Sequence, residues 1–193
     1  LVDPRGAHHA RGYAITYLPK DVEAVRRYLS KTVGAPQDAV ERICEEKEFS
    51  VPRLMKWAHV YNSVAFSLGM CLRPLIAARY NISLISQLYE VVTGIEKSPE
   101  ELLRIGERIW NIQRLFNVRE GASRADDMPP PRMMEEPLAV GDKVIPPLSR
   151  EEVDRILDEY YDECGWDLKT GAPTPEKCRE LGLVEEARSA GIL

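Results

Sequence analysis

The sequence predicts an all-α protein, an irregular multi-helix bundle, on three observations. Apolar residues recur at spacings of three and four over most of the chain. Ser and Thr residues followed by proline or acids mark several helix starts, and glycines stand where several apolar stripes end. No strand-like alternation of useful length and no internal repeat interrupts the pattern.

The elements follow in order. Pro19 to Lys31 carries Val22, Val25 and Leu29 on one face, and Gly34 is placed to close it. Pro36 to Glu48 puts Val40, Ile43 and Cys44 on a stripe. Ser50 offers an N-cap, with Pro52 in the first turn, for a helix running to about Leu68. Leu54, Trp57, Ala58, Val60, Tyr61, Val64 and Ala65 make that helix apolar nearly all round, which predicts burial. Gly69 breaks it just before Cys71, and Pro74 follows. Leu84 to Val92 reads as a helix ended by Gly94. Ser98-Pro99-Glu100-Glu101 is a helix start with a hydroxyl cap, proline at N1 and acids at the positive end of the macrodipole. Leu102, Ile105, Ile109, Ile112 and Phe116 then form a core stripe. Residues 121–148, rich in proline, read as an irregular loop that wraps a surface or serves a site. Ser149 caps a helix from Arg150 to Tyr161 with Val153, Ile156, Leu157 and Tyr160 inward, and Thr174 caps a last short helix through Leu181.

Composition narrows the partners. The 193 residues carry a formal net charge of -5, which gives no electrostatic attraction to nucleic acid or an anionic membrane. The longest apolar run, Val64 to Leu72, falls far short of a membrane span. Four cysteines, Cys44, Cys71, Cys164 and Cys178, show neither a Cys-x-x-Cys pair nor a zinc-finger spacing. With no secretion signal they read as reduced thiols of a cytoplasmic protein. The opening Leu1-Val2-Asp3-Pro4-Arg5-Gly6 has the character of mid-protein sequence, so the chain is expected to be part of something longer.

A series of short motifs goes further than periodicity. Asp3-Pro4-Arg5-Gly6 precedes Gly12-Tyr13-Ala14, then Gly69-Met70-Cys71, Thr93-Gly94 and Ile105-Gly106-Glu107-Arg108-Ile109. Leu115 to Gly121, Asp127-Met128-Pro129 with Arg132, Gly165-Trp166-Asp167, Gly171 to Pro175 and Leu181-Gly182-Leu183 complete it. In that order they resemble the second and third domains of the aldehyde:ferredoxin oxidoreductases, tungsten- or molybdenum-pterin enzymes. The resemblance implies residues 1–50 as the end of the second, helical domain and 51–193 as the third. In that family a missing N-terminal β-rich domain holds two pterins, and two helical domains close over them. A [4Fe-4S] cluster passes electrons to ferredoxin or a similar carrier, with aldehydes or related acyl compounds as substrates. Three cluster cysteines lie in a Cys-x-x-Cys-x-x-x-Cys run, and the third-domain motif supplies the fourth. By match to that motif, Cys71 is the metal ligand, with Gly69, Met70 and Leu72 lining the cofactor.

The chemistry of that assignment is sound. Thiolate is the ligand iron–sulfur clusters require. A glycine lets backbone approach closely, and a helix break is expected to free amides toward the cluster sulfurs. From spacing alone, Cys71 reads as a small buried thiol beside a helix end, and it is the family order of the motifs that favours the ligand. The chain lacks the three-cysteine run, so alone it is expected to bind no cofactor and to be inactive; in the whole protein a homodimer is compatible with the resemblance.

Two positions depart from the family. Phe66 stands where the motif has a pterin-bonding aspartate, with Asn62 and Ser67 as nearby polar residues. Ile15 to Val22 has no counterpart of the family's histidine near the metal, whose ionisation suits proton transfer. His8 and His9 read as a surface pair and His59 as a satisfied interior residue. These departures point to a divergent branch, such as the benzoyl-CoA-reducing one, or to a noncatalytic interaction module.

Overall fold

The computed structural model describes residues 21–71 and 80–193. The motifs at 3–6 and 12–14, His8, His9, Pro19, Leu72 and Pro74 lie outside the described residues.

Helix α1 (Val22–Arg27) is capped by Asp21, whose carboxylate accepts from the Ala24 amide at 2.8 Å. It runs on as a π-helical turn, Tyr28–Val33, closed by Gly34 in the left-handed region at φ 77°. That glycine also admits its neighbour, since a Cβ there would lie 2.6 Å from Ile82 Cγ2. Helix α2 (Gln37–Ile43) is shorter than the sequence suggests: a tight turn joins Cys44 to Phe49 by a β-bridge and ends the helix at Ile43.

Helix α3 (Val51–Ser67) is the centre of the bundle. Ser50 caps it through the Arg53 amide, and every residue from Lys56 to Ala65 is buried. A helix enclosed on all sides needs neighbours on all sides. Helix α4 (Ile82–Thr93), capped by Asn81, buries only Ile82 and Ile85. Helix α5 (Pro99–Arg119) starts with a full capping box between Ser98 and Glu101.

Helix α5 packs antiparallel to α3: Gly106 lies against Val60 and Val64, Glu107 against Lys56, and Trp110 against His59. A Cβ on Gly106 would stand 2.4 Å from the Val60 carbonyl oxygen. This close approach decides which face of α5 is buried. Leu103, Gly106, Trp110 and Arg114 turn inward, and of the apolar stripe read from sequence only Leu102 joins the core, with Ile109 half-buried. Ile105, Ile112 and Phe116 stay 40%, 38% and 54% exposed.

The 121–148 stretch is also more ordered than expected. It holds a 3-10 turn (Arg124–Asp127), helix α6 (Pro131–Glu135) and a hairpin of β1 (Leu138–Val140) and β2 (Lys143–Ile145). The hairpin pairs Leu138 with Ile145 and Val140 with Lys143, all exposed, so no one-sided alternation betrays it. Helix α7 (Arg150–Cys164) begins at the Ser149 cap and runs one turn beyond Tyr161. Helix α8 (Pro175–Leu181) is capped by Thr174, and a further turn, α9 (Val184–Ser189), follows.

Among the described residues three apolar clusters result. The largest joins α1 and α2 to α3 and the first turns of α4 and α5, from Val25 and Leu29 through Leu54 and Tyr61 to Leu102 and Leu103. Trp110, Leu157, Tyr160, Tyr161 and Trp166 form the second, Leu115, Cys178, Leu181 and Leu183 the third. Each fully buried Leu or Ile contributes about 1.5–3 kcal/mol. Among the described residues no helix is long and apolar enough to cross a membrane.

Candidate functional site

Helix α3 ends in a Schellman motif. The Leu68 amide donates to Val64, Gly69 to Phe66 at 3.1 Å and Met70 to Ala65 at 3.0 Å. Gly69 adopts φ 70°, which only glycine takes at little cost, and among the described residues none lies within 4 Å of where its Cβ would be. Met70 folds back on the main core, half-buried. The next residue, Cys71, is exposed. Buried helix, cap and Met70 anchor together hold one thiol at the protein surface.

The cap corrects one detail read from the sequence. The Gly69 and Met70 amides were expected to be freed by the helix break, yet both are spent on helix carbonyls. Cys71 is brought together with Gly69 and Met70 as the motif requires, while Leu72 lies outside the described residues.

The other three cysteines are buried and free. Burial pushes the Cys164 thiol up to about 12. Burial likewise raises Cys44 and Cys178. Cys164 is the last residue of α7. Among the described residues no three His, Cys, Asp or Glu side chains converge on a metal-sized site.

Near the candidate ligand, Phe66 lies half-buried on the last turn of α3. The Ser67 hydroxyl donates to the Ser63 carbonyl at 2.7 Å, and Asn62 is buried in the interior. His59 is also interior: its Nδ1 lies 2.9 Å from the Tyr160 hydroxyl, and its ring stacks on Trp110 at 4.3 Å. Trp110 Nε1 donates to the same hydroxyl at 2.8 Å.

Several motif residues meet at a point the sequence did not reveal. The Arg114 guanidinium grips both Asp127 oxygens, at 3.0 and 2.6 Å, and donates from Nε to the Gly171 carbonyl. The Tyr161 hydroxyl also donates to Asp127. A Cβ on Gly171 would lie 2.5 Å from the guanidinium, and the Arg114 guanidinium carbon sits 5.1 Å from the Trp166 ring centre. Asp127, Gly165-Trp166 and Gly171 thus belong to one buried ion-pair assembly. Arg114, flanked by ordinary helix residues, carried no signal of it.

A second assembly surrounds Glu107. Lys56 and Lys177 approach its carboxylate at 3.1 and 3.2 Å, and Arg108 takes no part. Burial pushes the Glu107 carboxyl up, but the two ammonium groups outweigh it and hold it below the usual range. A third is Glu163, reached by Arg42, Arg53 and the Trp57 indole. These are frame interactions linking α2, α3, α5, α7 and α8.

Residues 1–183 match the family described as aldehyde ferredoxin oxidoreductase, domains 2 and 3. The chain belongs to that family. A tungsten-containing aldehyde ferredoxin oxidoreductase of Pyrococcus furiosus is 38% identical over 99 residues, 51% of this chain and 16% of the relative. Its counterpart in Thermococcus kodakarensis is 40% identical over 93 residues, 48% of this chain and 15% of the relative. An aliphatic sulfonate oxidoreductase, WOR-like subunit, of Pyrococcus furiosus is 34% identical over 110 residues, 54% of this chain and 17% of that protein. The active-site complex BamBC of benzoyl coenzyme A reductase, solved with 1,5-dienoyl-CoA, shares the fold. Its TM-score is 0.61 at 22% identity, over 89% of this chain and 27% of that one. The chain therefore spans well under a third of the length of the proteins it matches.

Proposed function

We propose that this chain is the C-terminal helical part of a tungsten- or molybdenum-pterin oxidoreductase, and that Cys71 supplies one thiolate to a [4Fe-4S] cluster. The observation that carries the reading is the exposed Cys71 thiol, held at the capped end of a buried helix. The other ligands come from the upstream part of the protein. When bound, the cluster and metal-pterin supply electron transfer and substrate oxidation.

The chain's own residues hold, orient and shield. The Schellman cap fixes the direction in which Cys71 leaves α3. Gly69 and Met70 line the cofactor side, with Leu72 as the remaining member of that lining. Phe66 covers it with an apolar ring where the family offers an acid. The substrate class is an aldehyde or a related acyl compound, and ferredoxin or a similar carrier takes the electrons. Alone, the chain lacks most of the cage and is inactive. Four free thiols suit a reducing compartment, so the protein works in the cytoplasm.

A second reading is favoured by Phe66, whose ring cannot accept the pterin's N–H donors. On it the chain serves a branch with altered chemistry, of the benzoyl-CoA-reducing kind, or a noncatalytic helical module. Replacing Cys71 by Ser in the whole protein separates these readings. Iron content falls if Cys71 is a ligand; unchanged iron together with unchanged activity defeats the assignment. Substituting an exposed residue should leave the fold intact.

A further inference from the structure

Helix α4 is buried only at its start. Ser86 Oγ donates to the Lys97 carbonyl, so the chain returns by residue 97 to the level of residue 86. Residues 87–96 therefore stand out from the bundle as a helical finger. Its tip is well fixed: the Gly94 amide donates to Glu90 at 2.8 Å, the Thr93 hydroxyl to Tyr89 at 2.7 Å, and the Ile95 amide to the Thr93 hydroxyl at 3.1 Å. On this ordered finger Leu88, Val91, Val92 and Ile95 are 41%, 82%, 82% and 50% exposed. Leu88, Val91 and Val92 lie three and four apart on one face of the helix, and Ile95 follows them just past the Gly94 cap.

The finger and Cys71 share one end of the bundle. Because α3 and α5 run antiparallel, the start of α5 lies beside the end of α3, where Leu102 and Leu103 join Val64 and Ala65 in the main core. The finger overhangs that start, and exposed Leu68 lies at the same end.

We propose that this finger is the apolar knob by which the helical unit seats, permanently, in a socket on the upstream domain of its own polypeptide. The relatives are multidomain and much longer: this chain matches domains 2 and 3 of its family and covers 16% of the length of one relative. The chemistry of the stripe favours a permanent neighbour. Obligate interfaces resemble a divided core, whereas transient electron-carrier contacts are small. Here two valines lie bare, and the charged side chains between Gln87 and Glu96 are only Glu90 and Glu96. The proposal rests on the family assignment and not on Cys71 being a ligand.

Val92→Cys in the whole protein tests it, labelled with a maleimide and mapped by peptide mass. Glu176→Cys on α8, where the native side chain is 79% exposed, serves as reference. The new thiol at 92 should react about tenfold or more slowly than the reference, at every protein concentration. Equal rates would overturn the proposal. So would protection that vanishes on dilution, which would assign the finger to a second copy of the chain. Iron content of Cys71→Ser reads the ligand assignment separately, so either can fail alone.

Discussion

The crossing of α3, α5 and α7 and the end of the bundle that carries Cys71 are built on opposite terms. At the crossing, the buried charged groups find their partners within the chain: Lys56 on Glu107, Arg114 on Asp127, and Glu163 on Arg53 and the more exposed Arg42. Among the described residues one buried side-chain polar atom, Ser63 Oγ, lacks a hydrogen bond. At the Cys71 end the reverse holds: apolar side chains and a thiol face outward from rigid, capped backbone. Unpaired buried charge is costly, so a unit must complete its polar interior itself. Exposed apolar surface can be completed by a neighbour. The contrast identifies one region as finished and the other as half of an interface.

The largest effect expected at the finished region is that of Asp127→Ala. It strands the buried Arg114 guanidinium and should cost about 3–5 kcal/mol in chemical denaturation of the whole protein. A cost below about 1 kcal/mol, the range of exposed pairs, would show that this pair is solvated. Next comes Gly106→Ala. Its methyl group meets the backbone of α3 rather than a side chain that can move, and a loss of about 1–3 kcal/mol follows.

The Glu107 assembly sharpens the contrast through pH. Its carboxyl titrates lower in the folded protein than in the unfolded chain, where about 4.3 is usual. The stability it confers is therefore complete above the unfolded value and lost as pH falls through the folded one. Glu107→Gln should flatten that part of the acid limb of an unfolding curve; an unchanged limb would remove Glu107 from it. The smallest effect belongs to the open end. In the isolated 193-residue chain Val91→Ser should shift stability by no more than about 0.5 kcal/mol, because the side chain touches little there.

Much of the frame is legible in the sequence because caps are local. Ser50, Ser98, Ser149 and Thr174 start helices, and Gly34, Gly69 and Gly94 end them, where hydroxyl and glycine chemistry requires. What sequence periodicity misplaces is the buried face of α5. Hydrophobicity marks Ile105, Ile112 and Phe116, but the choice falls to Gly106, the one residue that lets two helix backbones meet. A periodic stripe records every face that needs covering, including those covered from outside the chain. The hairpin at 138–145 escapes notice because neither face is buried here. At the candidate site, Cys71 and Gly69 are visible as a motif, whereas the spending of the Gly69 and Met70 amides is visible only in three dimensions. The Arg114 assembly joins residues up to 57 positions apart, a distance no local pattern spans.

What Cys71 faces in the complete protein decides whether it is a ligand. Thiol labelling of the whole protein, before and after treatment with an oxidant and an iron chelator, with iron content measured in both states, reads this directly. Cys71 should resist the reagent while iron is bound and react once it is gone, with Cys44, Cys164 and Cys178 silent until the protein unfolds. Equal labelling of Cys71 in both states would contradict the ligand assignment.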